Sequence, residues 1–275
     1  KIASDEIQIA LGYTEPEAGS DLASLKLRAV PDGDDFILNG QKRFCTSAHF
    51  SDYIWLAVRT GPDKPKQGGI SLFIVDLKVT GVSIEPMWTM GGERTNEVFF
   101  DNVRVPGYRL VGELNRGWQY VSEALALERF TLVTLSASNG RKFETFLNWV
   151  KRAHRQGRPI AEDPMVRQKM ARLAIELEVL KLFEYAVIDM ATKERVLTIE
   201  AAINKLFGSE LDQRINLYAM EIMGLYGQLQ EGSKYAIEDG KFEQDYRASV
   251  VGTIGAGSSE IQRTMIALRL LNLPK

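Results

Sequence analysis

The sequence predicts an α+β protein: an antiparallel, barrel-like β region over 1–107, followed by a helical bundle over 108–275. Three observations predict it. Up to about Pro106, apolar residues come in short β-branched and aromatic runs separated by Gly, Pro, Asn and Asp. Beyond Gly107 the apolar period becomes helical. No internal repeat or low-complexity tract interrupts either half.

The elements follow in order. Gly12-Tyr13-Thr14-Glu15-Pro16-Glu17-Ala18-Gly19-Ser20-Asp21 is a tight polar turn. Proline presets one backbone torsion and glycine permits a left-handed one. Thr14 and Ser20 place hydroxyls on either side. Such a loop either turns the chain between strands or aims N–H groups and hydroxyls at a planar, polar ligand. Asp35-Phe36-Ile37-Leu38 and Gln41-Lys42-Arg43-Phe44, around Asn39-Gly40, predict a hairpin with a type I′ turn. Tyr53 to Val58 and Ile70 to Val75 predict strands, with a solvated loop from Gly61 to Gly69 between them. Asn96 to Val105 alternates and stops at Pro106.

In the second half, Asn139-Gly140 predicts a helix stop, although the apolar pattern resumes with Phe143, Phe146 and Val150. Asp163-Pro164 predicts an N-cap and a first helical position. Val166, Met170, Leu173, Leu177, Leu180 and Val187 then form one stripe at helix spacing. Ile199 to Leu217 and Ser259 to Leu271 predict further helices. These stripes exceed what one small bundle must bury, so an oligomer is expected.

Composition sets the bounds. The 275 residues are 45% hydrophobic and 25% charged, which is ordinary for a soluble protein with one or two real cores. A net charge of −2 offers no basic surplus for nucleic acid or an anionic membrane. No apolar run approaches the ~20 residues of a membrane span. A lone cysteine, Cys45, excludes an internal disulfide and suits a reducing, cytoplasmic setting. His49 and His154 are the only histidines, so no metal site is expected. The chain opens on Lys1, shows no signal-peptide pattern and reads as part of a longer protein.

Three further stretches can carry chemistry. In Phe44-Cys45-Thr46 the ring can cover a planar ligand and the hydroxyl can bond a heteroatom, or the triplet is a plain strand end. Gly252-Thr253-Ile254-Gly255-Ala256-Gly257-Ser258-Ser259-Glu260-Ile261-Gln262-Arg263 is a loop with little side chain, followed by a helix that Ser258 or Ser259 can cap. A helix N-terminus also favours anions. Leu125-Ala126-Leu127-Glu128-Arg129-Phe130 places a carboxylate inside an apolar helix. There it is either a buried partner of an arginine or a general base whose affinity for protons burial raises.

Together these stretches resemble the acyl-CoA dehydrogenases. Thr14 to Asp21 resembles their T-E-P-x-A-G-S-D flavin-binding signature. Asn39-Gly40-Gln41-Lys42 with Phe44 and Thr46 resembles their N-G-x-K hairpin and the aromatic-x-Thr triplet after it. Asn96 to Pro106 resembles the strand that leads out of their β domain. Gly257 to Arg263 resembles their G-x-x-E-I-Q-R segment. The resemblance implies FAD as cofactor, with contacts from Leu11, Tyr13, Thr14, Phe44, Thr46, Ser258 and Glu260. It implies acyl-CoA contacts from Ser20, Arg129, Ala256 and Gly257, and an electron-transfer flavoprotein as acceptor.

The family keeps its catalytic Glu at one of two places. Most members have it in the loop before I-Q-R, where this chain has Ala256; a minority have it in a helix motif like Leu125-Ala126-Leu127-Glu128-Arg129. The resemblance therefore implies Glu128 as the base. The family's N-terminal helical domain has no counterpart here. Its R-x-x-F-G motif reads Ala153-His154-Arg155-Gln156-Gly157-Arg158, and its Q-x-x-G-G segment reads Glu221-Ile222-Met223-Gly224-Leu225. These departures resemble subunits of heteromeric actinobacterial sterol side-chain dehydrogenases and imply a homo- or hetero-oligomer, a tetramer by family habit. A non-catalytic supporting subunit and an acyl-CoA oxidase are the alternatives.

Overall fold

The computed structural model describes residues 1–63, 65–131, 134–193 and 198–274, with side chains for all but 129–131 and 198. The chain divides into two compact units, Lys1–Ala124 and Leu125–Lys275.

The first unit is built on one sheet. Its strands are β1 (Ile9–Gly12), β2 (Arg28–Asp32), β3 (Asp35–Lys42), β4 (Tyr53–Arg59), β5 (Ile70–Asp76), β6 (Val82–Trp88), β7 (Arg94–Pro106) and β8 (Leu110–Val111). They run in the order β6-β7-β3-β2-β4-β5-β8, with β1 beside β4. The sheet does not close into a ring. β1 and β2 pair with β4 in parallel, and every other pairing is antiparallel. Leu38, Ile54, Leu56, Val58, Phe73, Val98 and Val103 fill its core. The near-continuous apolar run of β4 is buried on both faces, as a strand covered on both sides requires.

The structure corrects the hairpin expected at Asn39-Gly40. Both residues lie inside β3. The chain reverses instead between β2 and β3, where Gly33 takes φ +64°. The glycine of Asn39-Gly40 serves a different need. Register against β7 slips between Leu38 and Gly40, and Gly40 takes φ +142°. A Cβ there would lie 2.9 Å from the Leu27 Cα. A glycine inside a strand marks such a bulge or close backbone approach.

The second unit is helical. α1 (Gly117–Thr131) begins in the first unit and ends in the second. α2 (Leu135–Arg152), α3 (Pro164–Thr192), α4 (Thr198–Met223), α5 (Lys241–Gly252) and α6 (Ser259–Arg269) follow. A short β9 (His154–Arg155) and β10 (Arg158–Pro159) turn the chain between α2 and α3. Asp163 caps α3 as predicted, accepting from the Met165 N–H at 2.8 Å with Pro164 in the first turn. The predicted row from Val166 to Val187 is buried. From Val166 to Leu180 it joins the unit's own core, against Phe146, Leu211 and Ile215. A second row on α3, Ile175, Leu182, Tyr185 and Ile188, stays exposed.

The helix stop expected at Asn139-Gly140 is also corrected, because α2 runs straight through it. Asn139 is buried and donates through Nδ2 to the Gly208 carbonyl at 2.9 Å, so its amide links two helices instead of ending one. Among the described residues, no helix is long and apolar enough to cross a membrane.

Candidate functional site

In the first unit, the loop after β1 is held by one carboxylate. Glu15 is buried, and its Oε2 and Oε1 accept from the N–H groups of Lys26 (2.6 Å) and Leu27 (2.9 Å). Lys42, the last residue of β3, has no exposed surface. Its ammonium donates to Glu15 Oε1 at 2.8 Å and to the Tyr13 carbonyl at 3.0 Å. Burial pushes the Lys42 ammonium below the usual lysine range, while the Glu15 carboxylate opposes that shift. Sequence reasoning assigned neither residue a role. The signal was present: Lys42 continues the inward row of β3 from Leu38, where a charge needs a buried partner.

Through the Tyr13 carbonyl, Lys42 also holds the loop at the end of β3, just before Phe44. The Arg43 N–H donates to the Thr14 carbonyl at 2.8 Å, tying the polar loop to Phe44-Cys45-Thr46. Phe44 takes φ +56°, and its ring is exposed. The Asn96 amide donates to the Cys45 carbonyl at 2.9 Å, and the Cys45 N–H returns a bond to the Asn96 carbonyl. Leu11 is exposed, Tyr13 buried, Thr14 half-buried and Thr46 exposed. The hydroxyls of Thr14 and Thr46 have no protein partner among the described residues. Ser20 is exposed at the far end of the loop.

In the second unit, the loop between α5 and α6 is fastened through its carbonyls. Lys205 Nζ, from α4, donates to the Gly257 carbonyl at 2.7 Å. Gln262 Nε2, from α6, donates to the carbonyls of Ala256 (3.1 Å) and Gly257 (3.0 Å). Lys205 and Gln262 are both buried. Ala256 and Gly257 take φ +53° and +87°. The N–H groups of Ala256, Gly257 and Ser258 have no acceptor among the described residues. Ser258 caps α6 by accepting from the Ile261 N–H. Bonds from its own N–H and from Ser258 hold the Glu260 carboxyl below the usual range. Sequence reasoning missed Lys205, although it falls with Ala201 and Ser209 on the buried row of α4.

Glu128 lies half-buried near the end of α1, after the exposed Leu127. The Arg129 side chain lies outside the described residues. A cleft of about 670 Å³ in the second unit borders Arg172, Arg214, Arg263, Glu210, Glu260 and Ser259. Its arginines are already paired: Arg172 and Arg214 with Glu176, Arg263 with Glu210. Among the described residues, no group of three His, Cys, Asp or Glu is placed to hold a metal ion.

Matches to known proteins span both loops. Residues 10–103 match the acyl-CoA dehydrogenase middle domain, and residues 115–271 match the acyl-CoA dehydrogenase C-terminal domain. The chain belongs to the acyl-CoA dehydrogenase family. It is 35% identical over its whole length to acyl-CoA dehydrogenase FadE26 of Mycobacterium tuberculosis, covering 70% of that protein. Among solved structures, the Tcur3481-Tcur3483 steroid ACAD superposes with a TM-score of 0.92 at 36% identity, over all of this chain and 70% of that one. The ChsE4-ChsE5 complex of Mycobacterium tuberculosis gives 0.90 at 36% identity, over all of this chain and 71% of that one. In this acyl-CoA dehydrogenase chain, the polar loop and Phe44-Cys45-Thr46 fall within the middle-domain match, and Glu128 and the Ala256 loop within the C-terminal match.

Proposed function

We propose that the chain carries FAD-dependent α,β-dehydrogenation of an acyl-CoA thioester, with Glu128 as the base that removes the α-proton. The observation that carries this reading is the loop at Ala256. Its side chain cannot be a base, and its N–H has no acceptor among the described residues. A main-chain donor is therefore available where the carboxylate must come from elsewhere. Glu128, on α1, supplies one.

The residues of the first unit fit a flavin ring. Two hydroxyls without partners among the described residues, Thr14 and Thr46, can bond its heteroatoms, and the exposed Phe44 and Leu11 offer apolar cover. Tyr13 backs the loop, while Ser258 and Glu260 stand at the capped start of α6. When bound, FAD supplies the acceptor for the β-hydride. The Glu128 carboxylate takes the α-proton. The Ala256 N–H donates to the thioester carbonyl and stabilises the charge that develops there. Ser20, Arg129 and Gly257 complete the acyl-CoA contacts, and an electron-transfer flavoprotein takes the electrons onward.

A second reading is a supporting subunit in a heteromer, and two contacts favour it. The Arg155 guanidinium donates to the Ile222 carbonyl, and Glu221 pairs with Lys169. Both groups stand in the stretches where the family meets the ADP part of a neighbour's FAD, and both are engaged inside this chain. A heteromer with one active partner fits either reading.

The test is rapid mixing of acyl-CoA with the full-length, FAD-loaded assembly. Glu128→Gln should retain flavin and bleach it roughly 10²–10⁴ times more slowly. Unchanged bleaching assigns the base to another chain and favours the supporting-subunit reading.

A further inference from the structure

The Ala256 loop owes its shape to two side chains that the proposed chemistry does not otherwise use. Ala256 sits at φ +53°, a region that carries a steric cost for any residue with a Cβ. Such a conformation persists only where its surroundings over-determine it. Here Lys205 and Gln262 grip two consecutive carbonyls from beneath, with three hydrogen bonds of 2.7–3.1 Å. A trans peptide points its N–H opposite to its C=O. With the Ala256 and Gly257 carbonyls turned inward, the N–H groups of Gly257 and Ser258 face away from the two anchors. Among the described residues, no group accepts from them or from the Ala256 N–H.

Two details show that the anchoring is selective. A Cβ at Gly257 would come 2.6 Å from Gln262 Nε2, so a side chain there would push the anchor away. Lys205 is only 2% exposed. Burying an ammonium is costly, and a neutral donor would satisfy the same carbonyl. The cation adds polarisation of the Gly257–Ser258 peptide. Glu210 and Glu260 are the carboxylates whose charge reaches it.

We propose that Lys205 and Gln262 are positioning residues that hold the main chain at 256–258, fixing the left-handed turn that starts at Ala256 and, with it, the Ala256 N–H offered to the thioester and the Gly257 and Ser258 N–H groups beside it. The inference rests on the reading that this loop meets an acyl-CoA. Lys205 touches neither substrate nor cofactor in this role. It acts through the loop.

The experiment uses the full-length assembly and two readouts. The first is hydrogen–deuterium exchange over peptides spanning 253–259, read through the bonded N–H groups of Thr253, Ile254, Gly255 and Ser259. The second is kcat and KM for flavin reduction, with a 3-thia-acyl-CoA, which is not dehydrogenated, as a binding probe. Lys205→Met should raise exchange in the loop about ten-fold, the effect of one lost hydrogen bond, and leave α2 and α3 protected. It should lower kcat by a similar factor, with KM and the binding of the thia probe moving less. Lys205→Gln should restore loop protection but only part of kcat, because it returns the donor without the cation. If Lys205→Met does not assemble, Gln262→Met is judged on the same readouts. Wild-type exchange in the loop of the Met variant overturns the proposal. Failure of the wild-type assembly to reduce flavin would overturn the dehydrogenase reading, and the exchange comparison would still decide the anchoring.

Discussion

Lys42 and Glu15 form a buried ion pair at 2.8 Å that fastens the polar loop after β1 to the end of β3. Removing one partner leaves the other charged and buried. Lys42→Met should therefore destabilise the protein by about 3–5 kcal/mol, and Glu15→Gln by a comparable amount. The double variant should recover part of the loss, because no buried charge is stranded. Denaturant unfolding of the three variants checks this. A Lys42→Met variant as stable as wild type would show that the loop does not depend on the pair.

Gly40 and Gly140 should respond in opposite ways to alanine. Gly40 combines φ +142° with a Leu27 backbone only 2.9 Å from a new Cβ, so Gly40→Ala should cost more than about 1 kcal/mol. Gly140 lies in the middle of α2 with nothing near its would-be Cβ. Gly140→Ala should stabilise by about 0.5–1 kcal/mol through helix propensity. Thermal unfolding of both variants separates the two. Equal shifts in the same direction would sink the distinction.

Burial pushes the Cys45 thiol up to about 12, so it stays protonated at neutral pH. In the unfolded chain it ionises near 9. Between these values the folded state holds a proton that the unfolded state has lost, so stability falls as pH rises. Each pH unit in that window costs about 1.4 kcal/mol. Cys45→Ala should flatten this alkaline loss while leaving behaviour below pH 9 unchanged. Folded protein should also resist iodoacetamide at pH 8. Rapid alkylation of the native protein would contradict the burial argument.

What the sequence made legible follows the range of the forces involved. The cap at Asp163-Pro164 and the row from Val166 to Val187 are local patterns, and both stand in the structure. Asn39-Gly40 and Asn139-Gly140 carry the same local turn chemistry, yet neither turns the chain. Leu27 in one case and Gly208 in the other are distant partners that no local rule contains. The site divides in the same way. Thr14, Phe44, Thr46 and Ser258 could be named as candidates because their motifs are contiguous. Glu15 with Lys42, and Lys205 with Gly257, meet across 27 and 52 residues, and only the fold makes them neighbours.

The Ala256 loop offers a test of whether base and main-chain donor are separable. Its backbone already takes the left-handed turn with a Cβ in place, so glutamate at 256 adds no new torsional strain. Lys205 and Gln262 grip carbonyls, and a longer side chain leaves those bonds intact. Ala256→Glu introduced with Glu128→Gln should therefore restore part of the lost flavin reduction if, as the resemblance implies, either position reaches the same α-proton. Recovery of about ten-fold or more in bleaching rate over Glu128→Gln alone would locate the α-proton within reach of both sites. Ala256→Glu alone should not exceed wild type, because two carboxylates that reach one α-proton would each raise the other's affinity for protons. No recovery in the double variant, with flavin and thia-acyl-CoA still bound, would show that the loop sets the carbonyl without reaching the proton.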